Sequence, residues 1–142
     1  MTIKTAEAKW NGTLKEGCGT MKTGSGEFEG DFSCDTRFEE AKGTNPEELI
    51  GAAHAGCYSM ALAARLEKAG FKPKEVKTTA RVELSEKDGG YEISRVQLNT
   101  QADVPGIDES KFKQQADEAA RQCVISKALA GTKVEVQARL AA

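Results

Sequence analysis

Few side chains in this chain can do covalent or redox chemistry: four cysteines, Cys18, Cys34, Cys57 and Cys123, and one histidine, His54. No two cysteines form a C-x-x-C hook, and a single histidine adds little, so a zinc site is not expected. A secreted disulfide scaffold is not expected either. A chain of 142 residues can build its own core, and the N-terminus carries no export signal. Inert buried thiols and redox chemistry remain, and composition alone does not separate them.

Cys57 lies among Ala53, His54, Gly56, Met60 and Ala61, and by position alone it reads as a small core hydrophobe. Apolar burial raises a thiol's pKa, so reactivity there would demand a nearby cation. The candidates are Arg37, in the loop just before the helix, and His54, on an adjacent turn. Arginine is the better partner because it stays charged and offers several fixed donors. Cys123 is the natural resolving partner. It stands at a junction between helical segments, where the backbone N–H groups opening the second segment favour a thiolate. Taken alone, Cys123 too is first a buried thiol, and His54 a hydrogen-bonded core histidine. Cys18 and Cys34 lie in Gly-rich or polar extended stretches and read as incidental.

The elements that must position these residues are legible. Residues 1–45 read as strands and turns, with Asn11-Gly12 a tight-turn signal and Gly24-Ser25-Gly26 a turn. Gly30 comes one residue too late for GxGxxG, so no phosphate loop is expected. Asn45-Pro46-Glu47-Glu48 opens a helix: Asn45 caps, Pro46 takes the first position and Glu48 completes a capping box. That helix should run to about Ala69 and stop at Gly70. From Leu49 to Ala64 it is apolar or small on every side, which predicts burial all round. One domain of this size can hardly surround it, so two such helices burying each other in a dimer is the simplest remedy.

Val76 to Leu84 alternates as a strand, Asp88-Gly89-Gly90 turns the chain, and Tyr91 to Ala102 returns with a bulge between Ile93 and Val96. A second helix should start at Asp108 or Ser110 and end near Gln122. Val124 to Ala130 forms a short helical stretch, and Lys133 to Leu140 a last strand. The order predicts one α+β domain over residues 1–142, not a doubly wound parallel sheet.

Composition narrows the function classes. With 20 Lys and Arg against 22 Asp and Glu, the chain lacks the basic excess of a phosphate-backbone binder. The Leu49–Ala64 stretch is shorter than the ~20 residues that span a bilayer. Met1 to Glu7 has no basic segment followed by an apolar one, so a cytoplasmic location is expected.

Thr36-Arg37-Phe38-Glu39, and then Lys42 to Leu62 with its Asn45-Pro46-Glu47-Glu48-Leu49 start and its Ala53-His54-Ala55-Gly56-Cys57 centre, resemble the OsmC family of osmotically inducible proteins. This family is sister to the organic hydroperoxide resistance proteins. Val104-Pro105-Gly106-Ile107-Asp108 and Cys123-Val124-Ile125-Ser126 extend the resemblance over essentially the whole chain. It implies antiparallel sheets around a buried central helix, in an intertwined homodimer without metal, haem or flavin. It also implies a peroxidase acting on organic hydroperoxides and more weakly on hydrogen peroxide, reduced again by a dithiol on a lipoylated protein.

Carried onto this chain, Cys57 matches the peroxidatic cysteine, Cys123 the resolving one, Arg37 the thiolate-activating arginine and Glu47 the carboxylate that holds it. One position departs: the second motif usually reads Cys-Pro-x-Ser, and here Val124 follows Cys123. Valine restores a backbone N–H and frees φ.

Glu47 and Cys57 are ten residues apart, about 15 Å along a continuous helix. Either Arg37 bridges them in one chain, or Arg37 and Glu47 serve the partner's Cys57; the dimer argument favours the second. The competing class is a non-catalytic dimeric stress or binding protein with idle cysteines, which has no physical need for Arg37, Glu47, Cys57 and Cys123 together. A redox-sensing transcription factor would need a basic recognition helix, and none is evident.

Overall fold

The computed structural model describes residues 1–141, and the chain divides into two compact units, Met1–Leu49 and Ile50–Ala142. The first unit is an antiparallel meander of β1 (Ala6–Asn11), β2 (Cys18–Thr23) and β3 (Glu29–Phe32), followed by a short helix α1 (Cys34–Phe38). Asn11 pairs with Cys18, so the first hairpin closes through a six-residue loop rather than a tight turn at Asn11-Gly12. The loop is held by Gly17 N–H donating to the Thr13 carbonyl at 2.8 Å. A Cβ on Gly17 would come within 2.4 Å of two backbone oxygens, so only glycine fits. The second hairpin turns at Gly24-Ser25-Gly26 as expected, with Gly26 N–H donating to Thr23 O and Thr23 Oγ1 accepting from Phe28 N–H.

Helix α1 was not legible, because five residues are too few to show a period. It forms on a reciprocal cap: Ser33 Oγ accepts from Thr36 N–H and Thr36 Oγ1 accepts from Ser33 N–H. Arg37, expected in a loop, and Cys34, expected in an extended stretch, both lie on this helix.

Helix α2 spans Pro46–Lys68. Asn45 Oδ1 accepts from Glu48 N–H at 2.7 Å, while its amide donates to Thr36 O. The far end closes as a Schellman motif. Gly70, at φ +94°, donates to Glu67 O, and Phe71 N–H reaches back to Leu66 O.

In the single chain α2 is not buried all round. Gly51, His54, Tyr58, Leu62 and Leu66 form one buried stripe, and Ala52, Ala53, Gly56, Met60 and Ala64 are exposed. The small residues that predicted burial on every side meet a sheet on one side only, since one three-stranded sheet cannot wrap a helix.

That sheet has the order β4 (Glu75–Lys87), β5 (Gly90–Asp103), β6 (Lys133–Leu140). β4 and β5 are an antiparallel hairpin turning at Asp88-Gly89, both with positive φ. Leu84 pairs with Ile93 and Glu83 with Arg95, leaving Ser94 as the extra residue where the apolar phase shifted. β6 runs parallel to β5, a departure from antiparallel pairing, because the chain returns through α3 (Glu109–Gln122) and α4 (Val124–Ala128) as a crossover. Asp108 caps α3 by accepting from Lys111 N–H. Tyr58, Leu62 and Leu66 of α2, Val96, Leu98 and Ala102 of β5, and Phe112, Ala116 and Ala119 of α3 form the core, with Cys123 buried among them.

Candidate active site

Two local structures carry the expected site residues. In the second unit, helical spacing sets His54, Cys57, Tyr58 and Ala61 along one side of α2. Cys123 ends α3 and opens α4, with Ser126 one turn later. All four cysteines are free thiols. Cys57 is half-buried and Cys123 completely buried, so of the two only Cys57 has surface to offer a substrate.

The Cys57 side chain is among the groups that lower the pKa of the Cys123 thiol. Cys123 closes no capping hydrogen bond onto α4. Burial pushes its thiol pKa up, but the Ser126 hydroxyl, the Ser126 and Ile125 backbone N–H groups and Cys57 together outweigh burial and hold it below the ordinary value. α4 forms with Val124 as its first residue, and Val124 is exposed.

His54 is fully buried, and its Nε2 lies 2.7 Å from Ser126 Oγ. Burial lowers its pKa, so it is a neutral ring and supplies no cation to Cys57. The reading of His54 as a hydrogen-bonded core histidine therefore describes its surroundings, but its contact with Ser126, quoted above only as the end of the second motif, was not foreseen. The available signal was Ser126 standing three residues after Cys123, one helical turn away. Tyr58 donates to Ala116 O at 3.2 Å. Its phenol is pushed up to about 12 by burial and by the negative charges of Asp117 and Cys123.

In the first unit, α1 and the opening turn of α2 bring Arg37 and Glu47 together. Arg37 Nη2 and Nε donate to Glu47 Oε1 at 2.6 and 3.0 Å, and Nε also reaches Oε2 at 3.3 Å. The carboxylate is nearly buried and the guanidinium half-exposed. Arg37 also stands over the Phe38 ring at 5.5 Å. A cleft of about 280 Å³ beside it is walled by Trp10, Leu14, Phe32 and Phe38. This is an apolar recess with a cation at its edge.

Cys18 lies exposed on β2. Among the described residues no three His, Cys, Asp or Glu side chains are grouped to hold a metal ion, and no helix is long and apolar enough to cross a membrane.

Known proteins share this organisation. The solved OsmC-like protein of unknown function from Vibrio cholerae superposes with a TM-score of 0.79 at 17% identity, covering 98% of this chain and 100% of that one. The organic hydroperoxide resistance protein of Bacillus subtilis superposes at 0.72 with 25% identity, over 96% and 98% of the two chains. In sequence, the chain is 47% identical to the peroxiredoxin OsmC of Escherichia coli over 131 residues, 91% of this chain and 92% of that protein. It is 32% identical to the organic hydroperoxide resistance protein of Xanthomonas axonopodis over 90 residues, 63% of this chain and 61% of that protein. The family described as OsmC-like protein matches residues 39–138, a span that contains Glu47, Cys57 and Cys123 and begins two residues after Arg37. By fold, by sequence and by the span matched, the chain belongs to the OsmC-like family.

Proposed function

We propose that the protein is a thiol-dependent peroxidase that reduces organic hydroperoxides, and more weakly hydrogen peroxide, to alcohol or water. The observation that carries this reading is the pairing, within one unit, of a half-exposed Cys57 on α2 with a buried Cys123 at the α3–α4 junction. The names of its relatives, a peroxiredoxin and an organic hydroperoxide resistance protein, support it.

The Cys57 thiolate attacks the outer oxygen of ROOH. An S–O bond forms, the O–O bond breaks, and the departing alkoxide takes a proton to leave as ROH, with Cys57 now a sulfenic acid. The Cys123 thiolate then attacks the Cys57 sulfur. The S–S bond forms, hydroxide leaves and is protonated to water, and Cys57 is protected from irreversible oxidation. A dithiol, most simply that of a lipoylated protein, returns both cysteines to thiols by exchange.

Arg37, oriented by Glu47, stabilises the Cys57 thiolate and donates to the peroxide oxygen as charge develops. The apolar cleft beside Arg37 suits an alkyl group better than a bare peroxide. The whole chain acts as one OsmC-like domain in a cytoplasmic homodimer. The exposed stripe Ala52, Ala53, Gly56 and Met60 of α2 supports that assembly, in which Arg37 and Glu47 serve the partner's Cys57. The test is peroxide consumption with dihydrolipoamide for wild type, Cys57→Ser and Cys123→Ser. Loss of turnover in both variants is expected, and undiminished turnover in Cys57→Ser would end the enzyme reading.

A further inference from the structure

Peroxide chemistry gives work to both thiols and none to His54 or Ser126. Yet His54 is completely buried, with Nε2 at 2.7 Å from Ser126 Oγ and Nδ1 without a hydrogen-bond partner among the described residues. A neutral imidazole carries one proton, and the two choices of site have different costs. A buried N–H with no acceptor is a rarer defect than a bare acceptor. The proton therefore belongs on Nε2, donated to Ser126 Oγ, and the idle Nδ1 is the lone pair. Ser126 Oγ then accepts from the ring, and its own hydrogen is free to point at the Cys123 sulfur, one turn back along the chain.

We propose that His54 is a positioning residue for Cys123: by donating to Ser126 it fixes that hydroxyl as a hydrogen-bond donor to the Cys123 thiolate. The opposite tautomer would have the opposite effect. Ser126 would then donate to the ring and accept from the S–H, holding Cys123 protonated. Burial keeps the ring neutral, so His54 acts as a fixed donor and not as a base that fills and empties.

Within this unit the titratable groups facing Cys123 are Cys57 and Tyr58 from α2, with Asp117 of α3 beyond Tyr58. The groups that favour the thiolate are thus Ser126, Cys57 and the α4 backbone. The consequence for turnover rests on the peroxidase reading: the Cys123 thiolate is the species that attacks the sulfenic acid, and the hydroxide that leaves takes a proton from solvent to become water. The geometry does not depend on that reading.

The experiment uses the full-length reduced protein as wild type, His54→Leu, His54→Gln and Ser126→Ala. The ultraviolet absorbance of thiolate is followed against pH. Each protein is compared with the same variant carrying Cys123→Ser, so that the difference reports Cys123; Tyr58, at about 12, titrates outside the window. Removing one hydrogen bond to a charged sulfur should raise the Cys123 pKa by about one pH unit in His54→Leu and Ser126→Ala. Disulfide formation after one equivalent of hydroperoxide should slow roughly tenfold at neutral pH. His54→Gln, whose amide N–H can replace Nε2–H, should restore most of both.

A Cys123 titration unchanged or lowered in Ser126→Ala and His54→Leu overturns the proposal. Ser126→Ala deletes a single oxygen, and an unchanged titration in that variant alone overturns the proposal even if His54→Leu does not fold. Should the wild type leave hydroperoxide untouched, the peroxidase reading fails, while the thiolate titration still decides the role of His54.

Discussion

Arg37 and Glu47 form a two-nitrogen ion pair within one chain, with Nη2 at 2.6 Å and Nε at 3.0 Å from the same carboxylate oxygen. The shorter contact leaves the guanidinium plane fixed while Nη1 makes no hydrogen bond among the described residues. A planar fork held by its Nε edge keeps its other face for an anion. Because the Arg37 side chain is 41% exposed, the pair contributes at most about 1 kcal/mol to stability once screening is considered. Its value lies in orientation.

Arg37→Lys keeps the charge and loses the fork. Thermal stability should change by no more than about 1 kcal/mol. The second-order rate of Cys57 oxidation by an organic hydroperoxide should fall roughly tenfold or more, as charge-assisted, oriented hydrogen bonds are lost. Glu47→Gln should show the same pattern more weakly. Stopped-flow oxidation beside a thermal melt separates the two effects, and a rate equal to wild type would remove Arg37 from the site.

Core packing around α2 sets a second expectation. Leu62 is fully buried, and Leu62→Ala should cost about 2–5 kcal/mol in urea unfolding by leaving a cavity. Tyr58→Phe keeps the shape and removes only the bond to Ala116 O, so its cost should be about 1 kcal/mol. If Tyr58→Phe proved as damaging as Leu62→Ala, the phenol would have to do more than this bond.

The buried His54 makes stability depend on pH in a stated direction. Its folded pKa lies below the ordinary value of about 6.5, so below that pH the unfolded chain binds more protons than the folded one. Stability should therefore be unaffected by His54 above about pH 7.5 and should fall progressively as pH drops through about 6. Glu83, held below the usual carboxylate range by Arg95, acts only in a more acidic window. Urea midpoints across that range should slope for wild type and flatten for His54→Gln; equal slopes would contradict the assignment.

The exposed side of α2 yields a prediction about assembly. Met60 is 76% exposed and lies on the stripe with Ala52, Ala53 and Gly56. Met60→Asp would place a charge where two helices are proposed to meet. Light scattering at micromolar concentration should find a dimer for wild type and a monomer for the variant. A wild-type monomer would remove the assembly on which the shared-site proposal depends.

Much of this was legible in the sequence, for local reasons. Asn45-Pro46 and Gly70 bounded α2 because caps and breakers are read residue by residue. The hairpin bulge showed as a phase shift near Ser94 because a sheet face has a period of two. What escaped was non-local or too short to have a period. Helix α1, which carries Arg37, rests on the Ser33–Thr36 cap alone. The Asn11-Gly12 signal was overridden because strand pairing put Asn11 opposite Cys18. The His54–Ser126 contact joins residues 72 apart, and no spacing rule reaches that far. The expectation that α2 is buried all round came with a partner helix to complete it, and the single chain covers one side.

The central claim is that Cys57 and Cys123 act as one redox pair. The most direct measurement treats the reduced protein with one equivalent of an organic hydroperoxide and then maps its thiols by mass spectrometry. The account predicts loss of two hydrogens per chain and a single linked peptide joining Cys57 to Cys123, with Cys18 and Cys34 still free. An unchanged mass, or oxidation confined to Cys18 or Cys34, would contradict it.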